Sequence, residues 1–226
     1  MKDVNTLHTA EQSTDALTIS EQIAQHKILR NTYTLLAMTL LFSAIMASFS
    51  MVMNLPHPGM LITIVGYFGL LFLTHKYKNH PLGLVFVFAL TGFMGITLGP
   101  ILNNYWSMAP QIVMKALGLT AIVFFGLSAY AIKTKKNFSF LGSFLFIGIL
   151  VAFVCGLAAI FLEIPALSLA VSAMFVLLMS GLILYQTSEI IHGGETNYIS
   201  ATVTLYVSIY NLFTSLLHMF GFAQSE

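Results

Sequence analysis

Seven long apolar runs fill most of this chain, at about 31–54, 60–75, 82–100, 111–132, 138–162, 166–191 and 198–221. A run of roughly 20 apolar residues spans a bilayer as a helix, because only a helix or a closed barrel satisfies every backbone N–H and C=O without water. The runs are continuous rather than alternating, so they predict helices. The second is short for a full crossing. The breaks carry turn chemistry: Leu55-Pro56-His57-Pro58-Gly59 cannot continue a helix, Pro81 opens the third run, Pro100 closes it, Pro165 opens the sixth, and Gly193-Gly194 divides the last two. With 58% hydrophobic and only 8% charged residues and a mean hydropathy of +0.88, the chain is an integral membrane protein; a soluble domain carries roughly a quarter charged residues. The expected fold is all-α: a polytopic bundle of seven transmembrane helices over 27–226, preceded by a polar tail over 1–26.

The tail holds Asp3, Glu11, Asp15 and Glu21. It reads as disorder or as an interfacial helix, with weak amphipathic periodicity over 13–28. It lacks the apolar core of a cleavable signal peptide. Lys27 and Arg30 mark the membrane edge. The second loop carries Lys76 and Lys78 and the fourth Lys133, Lys135 and Lys136, while the first, third and fifth carry none. The positive-inside rule then puts the N-terminus in the cytoplasm. Seven spans put the C-terminus outside and the His192–Asn197 loop inside. Lys115, a turn into the fourth run, snorkels outward. A net charge of +1 gives no sign of a nucleic-acid partner. The lone Cys155 sits in an apolar run without metal-ligand spacing around it, and no cofactor or metal is expected.

Small residues recur inside the spans: Gly92, Gly95 and Gly99 in the third, Gly118 and Gly126 in the fourth, Gly148 and Gly156 in the fifth. Such positions let helix backbones approach closely. The last run is unusually polar. Thr204, Ser208, Asn211, Ser215 and His218 recur at steps of four, three, four and three and form one stripe on a helix, with Leu205, Val207, Ile209, Leu212 and Leu216 assigned to the opposite face. Such a stripe cannot face lipid. It is either helix-packing glue or the wall of a solvated path, and either way it places the seventh helix inside the bundle.

Ionisable groups within or beside the spans are the default functional candidates, because burying one costs roughly 2.5–3.5 kcal/mol. Glu189 ends the sixth run with Gln186 one turn before it, His192 and Glu195 follow in the loop, and His218 lies near the far end of the seventh run. Each has a structural reading beside the functional one. Glu189 reaches interfacial water, Glu195 is a carboxylate at a helix N-terminus, Asn197 caps the seventh helix, and His218 is interfacial. No HExxH, no GxSxG and no serine with a base partner occurs, and every Asp lies in the tail. Asn103, Asn104, Tyr105 and Trp106 read as an external loop.

His192-Gly193-Gly194-Glu195-Thr196-Asn197-Tyr198, followed by Ala201-Thr202-Val203-Thr204-Leu205-Tyr206-Val207-Ser208-Ile209-Tyr210-Asn211, resembles the YccA-type proteins, a bacterial inner-membrane branch of the Bax-inhibitor superfamily. His26-Lys27-Ile28-Leu29-Arg30-Asn31-Thr32-Tyr33, Gly99-Pro100-Ile101-Leu102-Asn103 and Phe138-Ser139-Phe140-Leu141-Gly142 match in the same order. The resemblance covers residues 26–224. It implies seven helices with the last one central, and a protein that binds and modulates FtsH, the ATP-dependent membrane protease, as an inhibitor and slow substrate with the N-terminal tail as the handle. Wider relatives conduct calcium or protons through two buried aspartates on the last two long helices. Those positions align with Gln186 and Ser208, neither of them acidic; Glu189, one turn from Gln186, offers a carboxylate without a partner. The resemblance therefore sets a cation leak beside FtsH modulation as the alternative reading.

Overall fold

A computed structural model describes the backbone of residues 2–225 and the side chains of 23–224. Seven helices follow one another: α1 (Lys2–Val52), α2 (Met60–Lys76), α3 (Leu82–Met108), α4 (Pro110–Thr134), α5 (Leu141–Phe161), α6 (Pro165–Ile191) and α7 (Tyr198–Ser225). Six contain stretches long and apolar enough to cross a membrane, the first of them Ile23–Val52. At 17 residues α2 is about 26 Å long, a little short of the hydrocarbon thickness, as its run predicts. The expected polar tail lies mostly outside the residues whose side chains are described.

Every expected break between helices is present, but Pro100 does not end the third helix. It lies inside α3, which runs on to Met108 and takes in Asn103–Trp106, expected as a loop. Proline has no N–H for the carbonyl four residues back, which here is that of Ile96. The Ser50 hydroxyl of α1 donates to that carbonyl at 2.8 Å. The helix therefore continues because a neighbour replaces the missing donor.

Lipid tails are as apolar as leucine, so helix association in a membrane rests on close packing and interhelical hydrogen bonds rather than on hydrophobic burial. The α1–α3 seam shows both. A Cβ on Gly92 would strike the Phe42 ring, one on Gly95 the Ser43 carbonyl, and one on Gly99 the Ser50 side chain. Gly148 and Gly156 of α5 likewise face Leu178 and Val171 of α6. Gly118 and Gly126, also expected to face a neighbouring helix, instead meet open space. They lie on the outward side of α4, beside exposed Leu117, Leu119, Ile122 and Phe125.

Helix α7 is the hub. It touches α1, α2, α3, α4 and α6, and Leu205, Leu212 and Leu217 are wholly buried. At the rim the backbone of α5 comes close to that of α6 alone among the helices, and α5 turns Phe144, Phe146, Ile147 and Leu150 outward, as a lipid-facing helix does. Helices α2 and α5 never bring Cα atoms within 8 Å of each other, and neither do α1 and α4. Two lateral crevices result.

Candidate functional site: the polar face of the last helix

The start of α7 is built locally. Asn197 Oδ1 accepts the N–H groups of Ile199 and Ser200, each at 3.0 Å, which is N-capping as its position predicts. Its Nδ2 donates to the Lys78 carbonyl and to Asn79 Oδ1, tying α7 to the end of α2. Glu195 Oε1 accepts the Asn197 N–H at 2.8 Å, the arrangement a helix N-terminus favours. The preceding turn closes as Gly194 N–H donates to the Glu189 carbonyl at 2.9 Å, with Gly193 at φ 77°, a conformation that only glycine adopts without strain. Glu189 is half-buried, and its carboxylate fills the space a Cβ on Gly194 would need. His192 rests between the carbonyls of Ser188 and Lys135, at 2.9 and 3.0 Å. The Ser188 hydroxyl accepts the Phe138 N–H. This end of the bundle is thus tied by polar side chains that read, on their own, as loop decoration.

Along α7 the polar stripe splits into two edges. Ser208 and Ser215 are buried, whereas Thr204, Asn211 and His218 are half-exposed. Thr204, Ser208 and Asn211 donate to carbonyls of their own helix, those of Ser200, Thr204 and Val207, so these residues are not interhelical glue. His218 Nδ1 lies 3.0 Å from Ser172 Oγ on α6. Val207, expected on the far face, sits beside Thr204 and Asn211 and lines the same cavities, because a step of three residues rotates only 60° short of a full turn.

The half-exposed edge opens on the crevice between α2 and α5. Three cavities follow one another there. One of about 190 Å³ lies beside Thr74, His75, Lys78, Ser200 and Thr204. One of about 580 Å³ has Thr97, Tyr210 and Asn211 on its inner wall and Met179 and Phe146 around it. One of about 480 Å³ runs toward His57, Ser168 and Ser172. Neighbouring cavities share wall residues, Val207 in the first pair and Thr63 in the second. Phe68 of α2 and Phe153 of α5 meet edge to face across the middle cavity, with ring centroids 5.9 Å apart.

The interhelical hydrogen bonds come from residues that periodicity treats as apolar or passes over. Tyr206, fully buried, shares a 2.7 Å hydrogen bond with Ser43 of α1 and donates to the Thr91 carbonyl of α3 at 3.3 Å. Thr202 donates to the Thr32 carbonyl, and Tyr33 is bonded to Thr187 at 3.1 Å. A count of large amphipathic side chains at sites predicted to be buried would have found both tyrosines, since a buried Tyr hydroxyl needs a partner.

Gln186 and Ser208 are both buried, on α6 and α7, two helices that pack together. The Ser208 hydroxyl is satisfied within α7. Gln186 Nε2 has no partner among the described residues, nor does the hydroxyl of Thr32. Neither Gln186 nor Ser208 titrates at any pH a cell reaches, so this pair cannot hold and release a proton or offer a carboxylate to a cation. Among the described residues no three His, Cys, Asp or Glu side chains converge to hold a metal.

The sequence compares closely with known proteins. It is 56% identical over 205 residues to "Modulator of FtsH protease YccA" of Escherichia coli strain K12, covering 90% of this chain and 94% of that protein. The corresponding protein of another Escherichia coli strain, at the same identity and coverage, is named "Inner membrane protein YccA". An uncharacterized protein of Pseudomonas aeruginosa is 53% identical over 210 residues, 92% of this chain and 95% of its own. Residues 25–225, which hold all seven helices from the membrane edge of α1 onward, match the family model described as "Inhibitor of apoptosis-promoting Bax1". The chain belongs to that Bax-inhibitor family.

Proposed function

We propose that this protein binds FtsH in the bacterial inner membrane and restrains its proteolysis, acting by contact rather than by catalysis. The observation that carries this is the 56% identity, spread over 90% of the chain, to a protein named as a modulator of that protease. Much of the polar chemistry at the α7 end is structural: Asn197 caps α7 and ties it to the chain beyond α2, and Tyr206 bonds across to α1 and α3. The cytoplasmic face is the end bearing Lys27, Arg30 and the loops with Lys76, Lys78 and Lys133–Lys136. Residues 1–26 serve as the segment the protease grips, and 27–226 as the bundle it must unfold.

The cation-leak reading loses its chemical basis at Gln186 and Ser208. Of the carboxylates at that end, Glu189 stands at a helix end beside Gly194 and Glu195 at the Asn197 N–H, and α7 itself carries no acid. Copurification tests the proposal. Tagged full-length protein isolated from membranes brings down FtsH, and added to purified FtsH in proteoliposomes it slows degradation of a membrane substrate. Failure to associate, together with an unchanged degradation rate, overturns it.

A further inference from the structure

The second lateral crevice, between α1 and α4, has a chemistry of its own. Where α1 nears the basic end of the bundle, a cavity of about 740 Å³ is lined by His26, Lys27, Arg30 and Tyr33, with Ile23 and Leu29 beside them and Ile132 across from them on α4. His26, Lys27 and Arg30 are exposed, and none forms an ion pair among the described residues. Lys133 follows Ile132 directly, and the chain just beyond is pinned, because His192 and Ser188 contact the carbonyls of Lys135 and Lys136. Deeper in the same crevice the Tyr33 and Phe124 rings touch at 6.0 Å. Beyond them lies a second cavity of about 270 Å³ walled by Ala44, Ala47, Leu98, Leu117 and Phe213.

The order of these features matters. A cationic mouth with no ion pair among the described residues stands at headgroup depth, and apolar walls follow at acyl depth. Free phosphate would match the mouth alone and a neutral lipid the walls alone. We propose that the α1–α4 crevice is a binding site for an anionic phospholipid of the adjacent leaflet. Lys27 and Arg30 hold the phosphodiester, the guanidinium by paired N–H donors, and an acyl chain lies against Leu29, Ile132 and the outer wall of α4. Basic pockets between transmembrane helices are the usual receptors of such headgroups. The site is separate from the α2–α5 crevice and makes no use of FtsH.

Native mass spectrometry of the full-length protein tests this, with phosphatidylglycerol and phosphatidylcholine of matched chains as probes. Phosphatidylglycerol should be retained in preference, and the Lys27→Ala/Arg30→Ala variant should lose that preference by roughly tenfold or more, at about 1 kcal/mol per cation near a membrane surface. The Lys76→Ala/Lys78→Ala variant removes the same charge from the other basic loop and should keep it. A wild type without headgroup preference, or equal loss in both variants, overturns the site and leaves only general surface attraction. Should the first variant not fold, the wild type decides: a photoreactive phosphatidylglycerol should label residues 23–33 and 129–136, and labelling elsewhere overturns the proposal.

Discussion

Tyr206→Phe removes one hydroxyl from the point where α1, α3 and α7 meet. The wild-type hydroxyl shares a 2.7 Å bond with Ser43 and a longer, 3.3 Å bond with the Thr91 carbonyl, and both side chains are buried. Interhelical hydrogen bonds in a membrane average about 0.6 kcal/mol and reach about 1.7 kcal/mol. The shorter bond belongs near the upper figure and the longer near the lower. Ser43 has an escape, since a serine in a helix can turn its hydroxyl to the carbonyl four residues back, as Thr204 and Ser208 do here. The net loss for Tyr206→Phe should therefore be about 1–2 kcal/mol. The ring remains, so no cavity adds to it; Tyr206→Ala should cost about 3–5 kcal/mol. A double-mutant cycle isolates the contact. With Ser43→Ala as the second change, reversible unfolding in mixed micelles should give a coupling of about 0.6–1.7 kcal/mol. A coupling below about 0.3 kcal/mol would refute the reasoning, because it would mean that each hydroxyl finds an equivalent partner once the other is gone.

Ser50→Ala should destabilise the bundle by about 1–3 kcal/mol, since it orphans the Ile96 carbonyl that Pro100 already leaves without its own partner; Pro100→Ala in the same background should restore most of that loss, and unfolding midpoints of the three variants check it. A periplasmic reporter fused after Glu226 should be active outside the cytoplasm, as seven crossings from a cytoplasmic N-terminus require; activity of a cytoplasmic reporter at that position refutes the topology. Deleting residues 3–20 should lengthen the half-life of the protein while its restraint of FtsH persists, measured by pulse-chase and by turnover of a second substrate; an unchanged half-life removes the tail as handle. Calcium flux into liposomes should be small and flat between acidic and neutral pH for the wild type, and Gln186→Asp/Ser208→Asp should add a pH-dependent component if the two side chains face each other, because two close carboxylates compete for a proton. Robust pH-gated flux through the unaltered chain would sink this account.

What could be foreseen from the residues depended on how far away the deciding partner lies. The Asn197 cap, the Gly193 turn and the helix-opening Pro165 are settled within a few residues, and each stands where local chemistry puts it. Pro100 sits inside a helix against its local chemistry because its remedy, Ser50, is half a hundred residues earlier and belongs to another helix. The polar stripe located α7 at the centre, but its hydroxyls turn back on their own carbonyls, and nothing in a spacing of three and four tells an intrahelical acceptor from an interhelical one. The role of Tyr206 is invisible to hydrophobic periodicity, which counts a tyrosine as wall material. Gly118 and Gly126 show the same limit in reverse: a small residue permits close approach, and only the rotation of the helix decides whether anything approaches.

The glycine-lined seam between α1 and α3 bears on mechanics. A machine that draws this protein out by its first residues meets α1 before any other span, and α1 is the helix clamped to α3 at Gly92, Gly95 and Gly99 and bolted by the hydrogen bonds of Ser43 and Ser50. Rates of forced extraction follow the barrier to the first rupture rather than the total stability. With α1 in that leading place, the α1–α3 seam is the first barrier that a pull on the N-terminal residues would have to break.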